Sequence, residues 1–131
     1  MCSKISDLRK TDGQSLVEMA MILPVLVALI FGMLDFGRVL NGYLVATEAS
    51  REGARVAVLR GDDAAVIAAV NNASATLDLS KLTVTVTPAT RVRGDSVTVA
   101  VNYDLDIITP LINTMLPNPY TVNCQTIMRV E

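Results

Sequence analysis

Few side chains in this 131-residue sequence are of the types that carry out chemistry. There is no histidine, so neither a histidine-based triad nor a histidine metal site can form. Cys2 and Cys124 are too few for a zinc site, and Asp104 and Asp106 are too few for a calcium site. The net charge of −2 disfavours nucleic-acid binding, which needs a basic surface. The sequence therefore predicts no enzyme, no metal, no cofactor and no nucleic-acid partner.

One specific arrangement of residues lies where a charged N-terminal segment meets an apolar run. The charged segment ends at Gly13, Gln14 follows, and Glu18 lies five positions beyond the glycine. This arrangement resembles the prepilin-peptidase site of type IV pilins, and the resemblance implies cleavage between Gly13 and Gln14. A carboxylate in an apolar helix is costly unless it is paired. Glu18 could pair with the new α-amino group of a neighbouring subunit and set its register, or it could snorkel to the headgroups.

The apolar run itself extends from Leu16 to Phe36, with only Glu18 and Asp35 charged. As a helix it is about 31 Å long, close to the hydrocarbon thickness of a bilayer. A buried core helix would need more protein around it than this chain has, and a cleaved secretory signal would need a small-residue cleavage site. We therefore predict a single membrane-spanning helix. The lysines and arginines that precede it favour a cytoplasmic N-terminus.

The helical pattern continues beyond the apolar run, to about Arg60, where Gly61 and Asp62 are typical of a helix end and a new N-cap. We expect Pro24 to bend this helix, because proline removes one backbone donor. Small residues recur along it, which favours close helix packing, although chance in an alanine-rich chain could also produce them. The predicted packing positions are Ala20, Ala28, Gly32, Ala46 and Gly53.

The outer half of the chain predicts a small α+β head. A short helix is expected over 62–77, and period-two alternation predicts three strands, over 82–87, 96–106 and 120–130. Strands with one polar face form a sheet, here mainly antiparallel, that the helices must cover. The apolar, proline-rich stretch 107–119 joins the last two strands; it could be a loop on the core or a patch for a neighbouring subunit.

Charged residues on the long helix have two possible roles. Asp35 and Arg38 are three residues apart and could pair at the outer membrane interface. Glu48, Arg51, Glu52 and Arg55 form a similar ladder. These charges are either a solvated helix face or, together with Asp35 and Arg38, a set of contacts between subunits. Cys2 and Cys124 would lie on opposite sides of the membrane, so both are predicted to be free thiols.

The stretch from Gly13 to Arg55 resembles the TadE-like family of tight-adherence pilus proteins. The residues that carry the resemblance are Gly13, Glu18-Met19-Ala20, Pro24, Asp35, Gly37, Ala49 and Gly53-Ala54-Arg55. It covers about a third of the chain, and Met19 stands where the family often has phenylalanine. The resemblance implies a minor pilin or pseudopilin that acts in the assembly of an adhesive filament.

These expectations divide the chain into a leader (1–13), a membrane-spanning and protruding helix (14–60) and an extracytoplasmic head (61–131). The chain would start as a single-pass protein of the bacterial cytoplasmic membrane, with the head outside, and could end in an extracellular filament. Its partners would be membrane lipid, the prepilin peptidase, the pilus assembly machinery and other pilin subunits. The alternative is an uncleaved, membrane-anchored protein whose head binds another envelope component.

Overall fold

The chain has the predicted α+β architecture: a long apolar helix, a short helix and a three-stranded antiparallel sheet. The computed structural model describes residues 3–59, 62–114 and 116–131, and the side chains from residue 13 onward except those of Leu111 and Asn113. The elements are α1 (Ser3–Val58), α2 (Asp63–Ala73), a 3₁₀ turn (Leu79–Lys81), β1 (Leu82–Thr87), β2 (Ser96–Leu105), α3 (Pro110–Asn113) and β3 (Tyr120–Arg129).

Helix α1 is longer at its start than the predicted span of 14–60. It begins at Ser3 and passes through Gly13 and Pro24 without interruption. The residues before Gly13 contain no proline, and one glycine inside a helix costs only about 1 kcal/mol relative to alanine, so nothing local stops the helix there. The helix ends at Val58, and the predicted stop at Gly61 lies outside the described residues.

Helix α2 begins where the sequence predicts. The side chain of Asp62 accepts a hydrogen bond from the backbone N–H of Ala65 at 2.9 Å, which makes it the N-cap. The helix ends at Ala73, four residues before the predicted end. The hydroxyl of Ser74 donates to the carbonyl of Val70 at 2.5 Å, and such local bonds compete with helix continuation.

The sheet has the order β1-β2-β3, with both pairs antiparallel. All three predicted strands are confirmed, although β2 and β3 each end one residue earlier than predicted. The alternate residues of β2 from Val97 to Leu105 are buried, as period two requires when one face of a sheet meets a core. Gly94 adopts a positive φ of 95° in the β1–β2 turn, a conformation that glycine tolerates without strain.

The core lies between this sheet and two helices, α2 and the second half of α1. Four alanines of α1, at 46, 49, 54 and 57, are completely buried in the core that α1 shares with α2, β2 and β3. Small side chains let the helix backbone approach the sheet closely. Helix α1 thus has two parts: its second half belongs to the head, and its first half extends away from it.

Candidate functional site

The first half of α1 is an exposed apolar surface. All the large hydrophobic side chains from Leu16 to Leu34 are exposed, among them Met21 at 73% and Met33 at 72%. Among the described residues there is one helix, Gly13–Val58, long and apolar enough to cross a membrane, and none of its most apolar stretch is buried. Contiguous apolar surface of this size does not face water in a stable monomer. This helix fits a membrane anchor.

The predicted processing site lies at the start of this surface. Gly13 is exposed, and a Cβ atom placed on it would meet nothing within 4 Å. The side-chain amide of Gln14 donates to a carboxylate oxygen of Glu18 at 3.1 Å, one helical turn further on. Glu18 is itself exposed, so its second oxygen is available to a further donor.

The small residues predicted to pack against other helices fall into two groups. Ala46 and Gly53 are buried inside the head, where a Cβ on Gly53 would lie 2.5 Å from Cγ2 of Val70 in α2. Ala20 is exposed, and Ala28 and Gly32 are half-buried. The packing of the head therefore explains why small residues are needed at Ala46 and Gly53. Ala20, by contrast, faces outward.

Asp35 and Arg38 tie α1 to the stretch 107–119, which we call the β2–β3 connection. The carboxylate of Asp35 is 3% exposed and accepts the backbone N–H groups of Ile108 at 3.2 Å and Thr109 at 2.8 Å. Arg38 lies 3.6 Å from the same carboxylate and donates to the carbonyl of Asp106 at 3.2 Å. Asp35 and Arg38 thus lie close together, as their spacing predicts. The sequence did not predict their backbone partners at 106, 108 and 109.

The β2–β3 connection lies along α1 on both sides of these contacts. A groove of about 350 Å³ lies between α1 and the connection. Its lining includes Gly32 and Phe36 of α1 and Ile112 and Leu116 of the connection. Immediately before the connection, the ammonium of Lys81 donates to the carboxylate of Asp106, and this hydrogen bond raises the pKa of Lys81. Lys81 is charged at neutral pH even without this partner. The raised pKa means that the contribution of the ion pair to stability is present at neutral pH and is lost only as the pH rises through the raised pKa.

The remaining charges of the ladder lie on the outer surface of the head. Arg51 contacts Glu48 at 3.3 Å, and both side chains are mostly exposed; Arg55 is exposed as well. An exposed pair of this kind contributes little to folding. These residues are free to face a second molecule.

The described residues contain no group of three or more histidine, cysteine, aspartate or glutamate side chains that could hold a metal ion. Cys124 is a buried free thiol that donates to the carbonyl of Tyr43 at 3.7 Å, whereas Cys2 lies outside the described residues. Asp104 accepts a hydrogen bond from the hydroxyl of Thr121 at 2.6 Å.

Comparison with known proteins finds a similarity that covers the apolar half of α1 and the part of α1 that enters the head. No curated protein and no solved structure matches the chain. Residues 13–55 match the family model described as TadE-like protein. The matched range includes Gly13, Glu18 and the exposed apolar half of α1, and it ends at Arg55 inside the head. This segment of the chain is thus similar to the TadE-like family, which its motifs also resemble.

Proposed function

We propose that the chain is a pilin-like structural subunit, a minor pilin or pseudopilin, of a tight-adherence pilus. The observation that carries the proposal is the family match over 13–55, which coincides with an apolar helix that the chain's own head leaves exposed. Such a helix is stable in lipid before assembly and among the helices of other subunits after it. The head, residues 61–131 with the second half of α1, then faces outward.

Orientation follows from the charges around the anchor. The residues before Gly13 include Lys4, Arg9 and Lys10, whereas Arg38 is the first basic residue after the apolar stretch. Basic residues near a membrane span are retained in the cytoplasm, so the N-terminus lies inside and the head outside. A prepilin peptidase would then remove the residues up to Gly13 at the cytoplasmic face.

Glu18 is the residue through which subunits would find their register. Before cleavage its carboxylate already accepts the side-chain amide of Gln14. After cleavage Gln14 carries a new α-amino group, which can pair with Glu18 of a neighbouring subunit. A charge pair inside an apolar bundle forms only at one axial offset, because every other offset leaves the carboxylate unpaired.

Processing is tested by the intact mass of the protein from its native host. We expect a mass that lacks residues 1–13, and we expect Gly13→Leu to retain the full-length mass. Gly37→Leu is the matched control, since Gly37 is also an exposed glycine of α1 with open space around it. If Gly13→Leu is shortened as the unsubstituted chain is, cleavage after Gly13 is wrong.

Register is tested separately by substituting Glu18. Glu18→Ala should leave membrane insertion and processing intact but reduce the incorporation of the subunit into filaments. Glu18→Asp keeps the charge and should restore part of the incorporation. Normal incorporation of Glu18→Ala would show that the carboxylate only snorkels to the headgroups.

A second function is favoured by one observation, the uninterrupted helix from Ser3 through Gly13. A leader that continues the anchor helix suits a permanently anchored protein whose head binds another envelope component. Retention of residues 1–13 in the native protein would favour this function over the filament subunit.

A further inference from the structure

The β2–β3 connection lies beside the part of α1 that would occupy the membrane. The δ-methyl of Ile112 would be 4.0 Å from a Cβ on Gly32, and Thr109, Pro110 and Thr114 line a second groove with Pro24, Val27 and Phe31. Along a helix, Gly32 and Pro24 are about 6 and 18 Å from Phe36, the outer end of the apolar stretch. The connection therefore reaches back along the outer half of the span.

The composition of the connection suits a position beside the outer half of the membrane span. The sequence carries no charged residue from Ile107 to Met128. The side chains of Ile108 and Leu116 are 60% and 46% exposed, although both lie in a segment packed against an apolar helix. In water this exposure is unfavourable, whereas acyl chains would cover both side chains.

An unpaired backbone N–H group is costly in an apolar environment. The first backbone N–H groups of the connection are paired. Asp35 accepts the N–H groups of Ile108 and Thr109, and Asn118 accepts that of Ile107 at 3.2 Å. Pro110 begins α3 and has no N–H to satisfy. The buried carboxylate of Asp35 is compensated by these donors and by Arg38, which reaches outward to Asp106.

We infer that the β2–β3 connection inserts the exposed side chains of Ile108 and Leu116 into the outer leaflet beside α1. The chain would thus contact the membrane at two places: through the spanning helix and, less deeply, through the connection. The inference rests on the proposed anchoring of α1, because the same helix sets the depth of the connection. In this inference, lipid acyl chains cover the exposed side chains of Ile108 and Leu116. The competing explanation is that a helix of a second copy of the chain covers them.

The chain contains no tryptophan, so a single substitution introduces a unique fluorescent reporter. The full chain is reconstituted in phosphatidylcholine vesicles with or without bromine on the acyl chains, which quenches tryptophan by contact. Ile108→Trp and Leu116→Trp report on the connection, and either one suffices if the other fails to fold by circular dichroism. Phe31→Trp reports on the anchor itself, and Val92→Trp is the control for the head.

Val92 is a matched control because it is also an exposed apolar residue, at 56%, in a loop of the same sheet. It precedes β2, and the connection follows β2, so the length of that strand, about 33 Å, separates them. We expect the reporters at 108 and 116 to be quenched about as strongly as the reporter at 31. The emission at 92 should be unaffected by bromine.

Each other result overturns the inference in a recognisable way. Quenching at 31 with none at 108 and 116 leaves the anchor standing and removes the second contact. A reporter at 116 that emits at short wavelength but is not quenched lies against protein, as a second copy would place it. An absence of quenching at 31 contradicts the anchoring of α1, and the inference fails with it.

Discussion

Gly53 of α1 lies so close to Val70 of α2 that a Cβ atom on the glycine would be 2.5 Å from Cγ2 of the valine. The same Cβ would lie 3.2 Å from Cγ1 of Val99 in β2. Both valines are fully buried, and a β-branched side chain has little rotamer freedom with which to move away. This glycine therefore holds the two helices and the central strand at their observed separation.

Gly53→Ala should lower the free energy of unfolding of the head by about 1–3 kcal/mol, the usual cost of overpacking a tight core. Denaturant unfolding of the full chain in detergent, followed by circular dichroism, measures the change. Gly37→Ala is the control, because the added methyl has open space and alanine favours the helix. Equal stability of the two variants would contradict the close packing at Gly53.

The carboxylate of Asp35 should control how firmly the β2–β3 connection is held. Asp35→Ala removes two hydrogen bonds to a charged acceptor, each worth about 1.5–3 kcal/mol. Each bond corresponds to roughly 10- to 100-fold in an opening equilibrium, so amide hydrogen exchange in the connection should accelerate on the order of 100-fold or more. Asp35→Asn keeps one acceptor oxygen and should have an intermediate effect.

Exchange of the amides of β2 serves as the internal control for Asp35→Ala. Those amides are paired with β1 and β3, and they do not depend on the connection. Equal acceleration in β2 would mean that the whole head has been destabilised, which would contradict a local clamp.

The sequence predicted the strands and the N-cap at Asp62 because both depend on local patterns: alternation along 96–105 and a capping side chain three residues before its donor. It did not predict the contact between Asp35 and Thr109, since no spacing rule relates positions so far apart in the chain. The small residues at 46 and 53 indicated a close approach of helices. They did not identify α2 and the sheet as the partners, because a small-residue pattern carries no information about what it faces.

Cys124 should behave as a reporter of opening of the head. The thiol is buried on the inner face of β3, so alkylation requires transient exposure. In a Cys2→Ser chain, we expect alkylation under native conditions to be slower than in denaturant by a factor on the order of 1,000 or more. Mass spectrometry at timed intervals measures this rate. Rapid modification under native conditions would contradict the burial of Cys124.

The pair between Glu48 and Arg51 distinguishes a solvated helix face from a contact between subunits. Both side chains are mostly exposed, so Arg51→Glu should change the stability of the head by less than about 1 kcal/mol. If the ladder faces a neighbouring subunit, the same substitution should reduce incorporation into filaments, more strongly at low salt. Incorporation is measured by immunoblotting of sheared filaments against the membrane fraction.

The exchanged variant, Glu48→Lys with Arg51→Glu, separates the two roles. It restores an ion pair within the helix but reverses the charges presented to a second molecule. A purely intramolecular role predicts that the exchange recovers normal incorporation, because the pair is restored. We expect incorporation to stay reduced in the exchanged variant, since the residues opposite on the neighbouring subunit are unchanged. Full recovery would assign Glu48 and Arg51 to a solvated face.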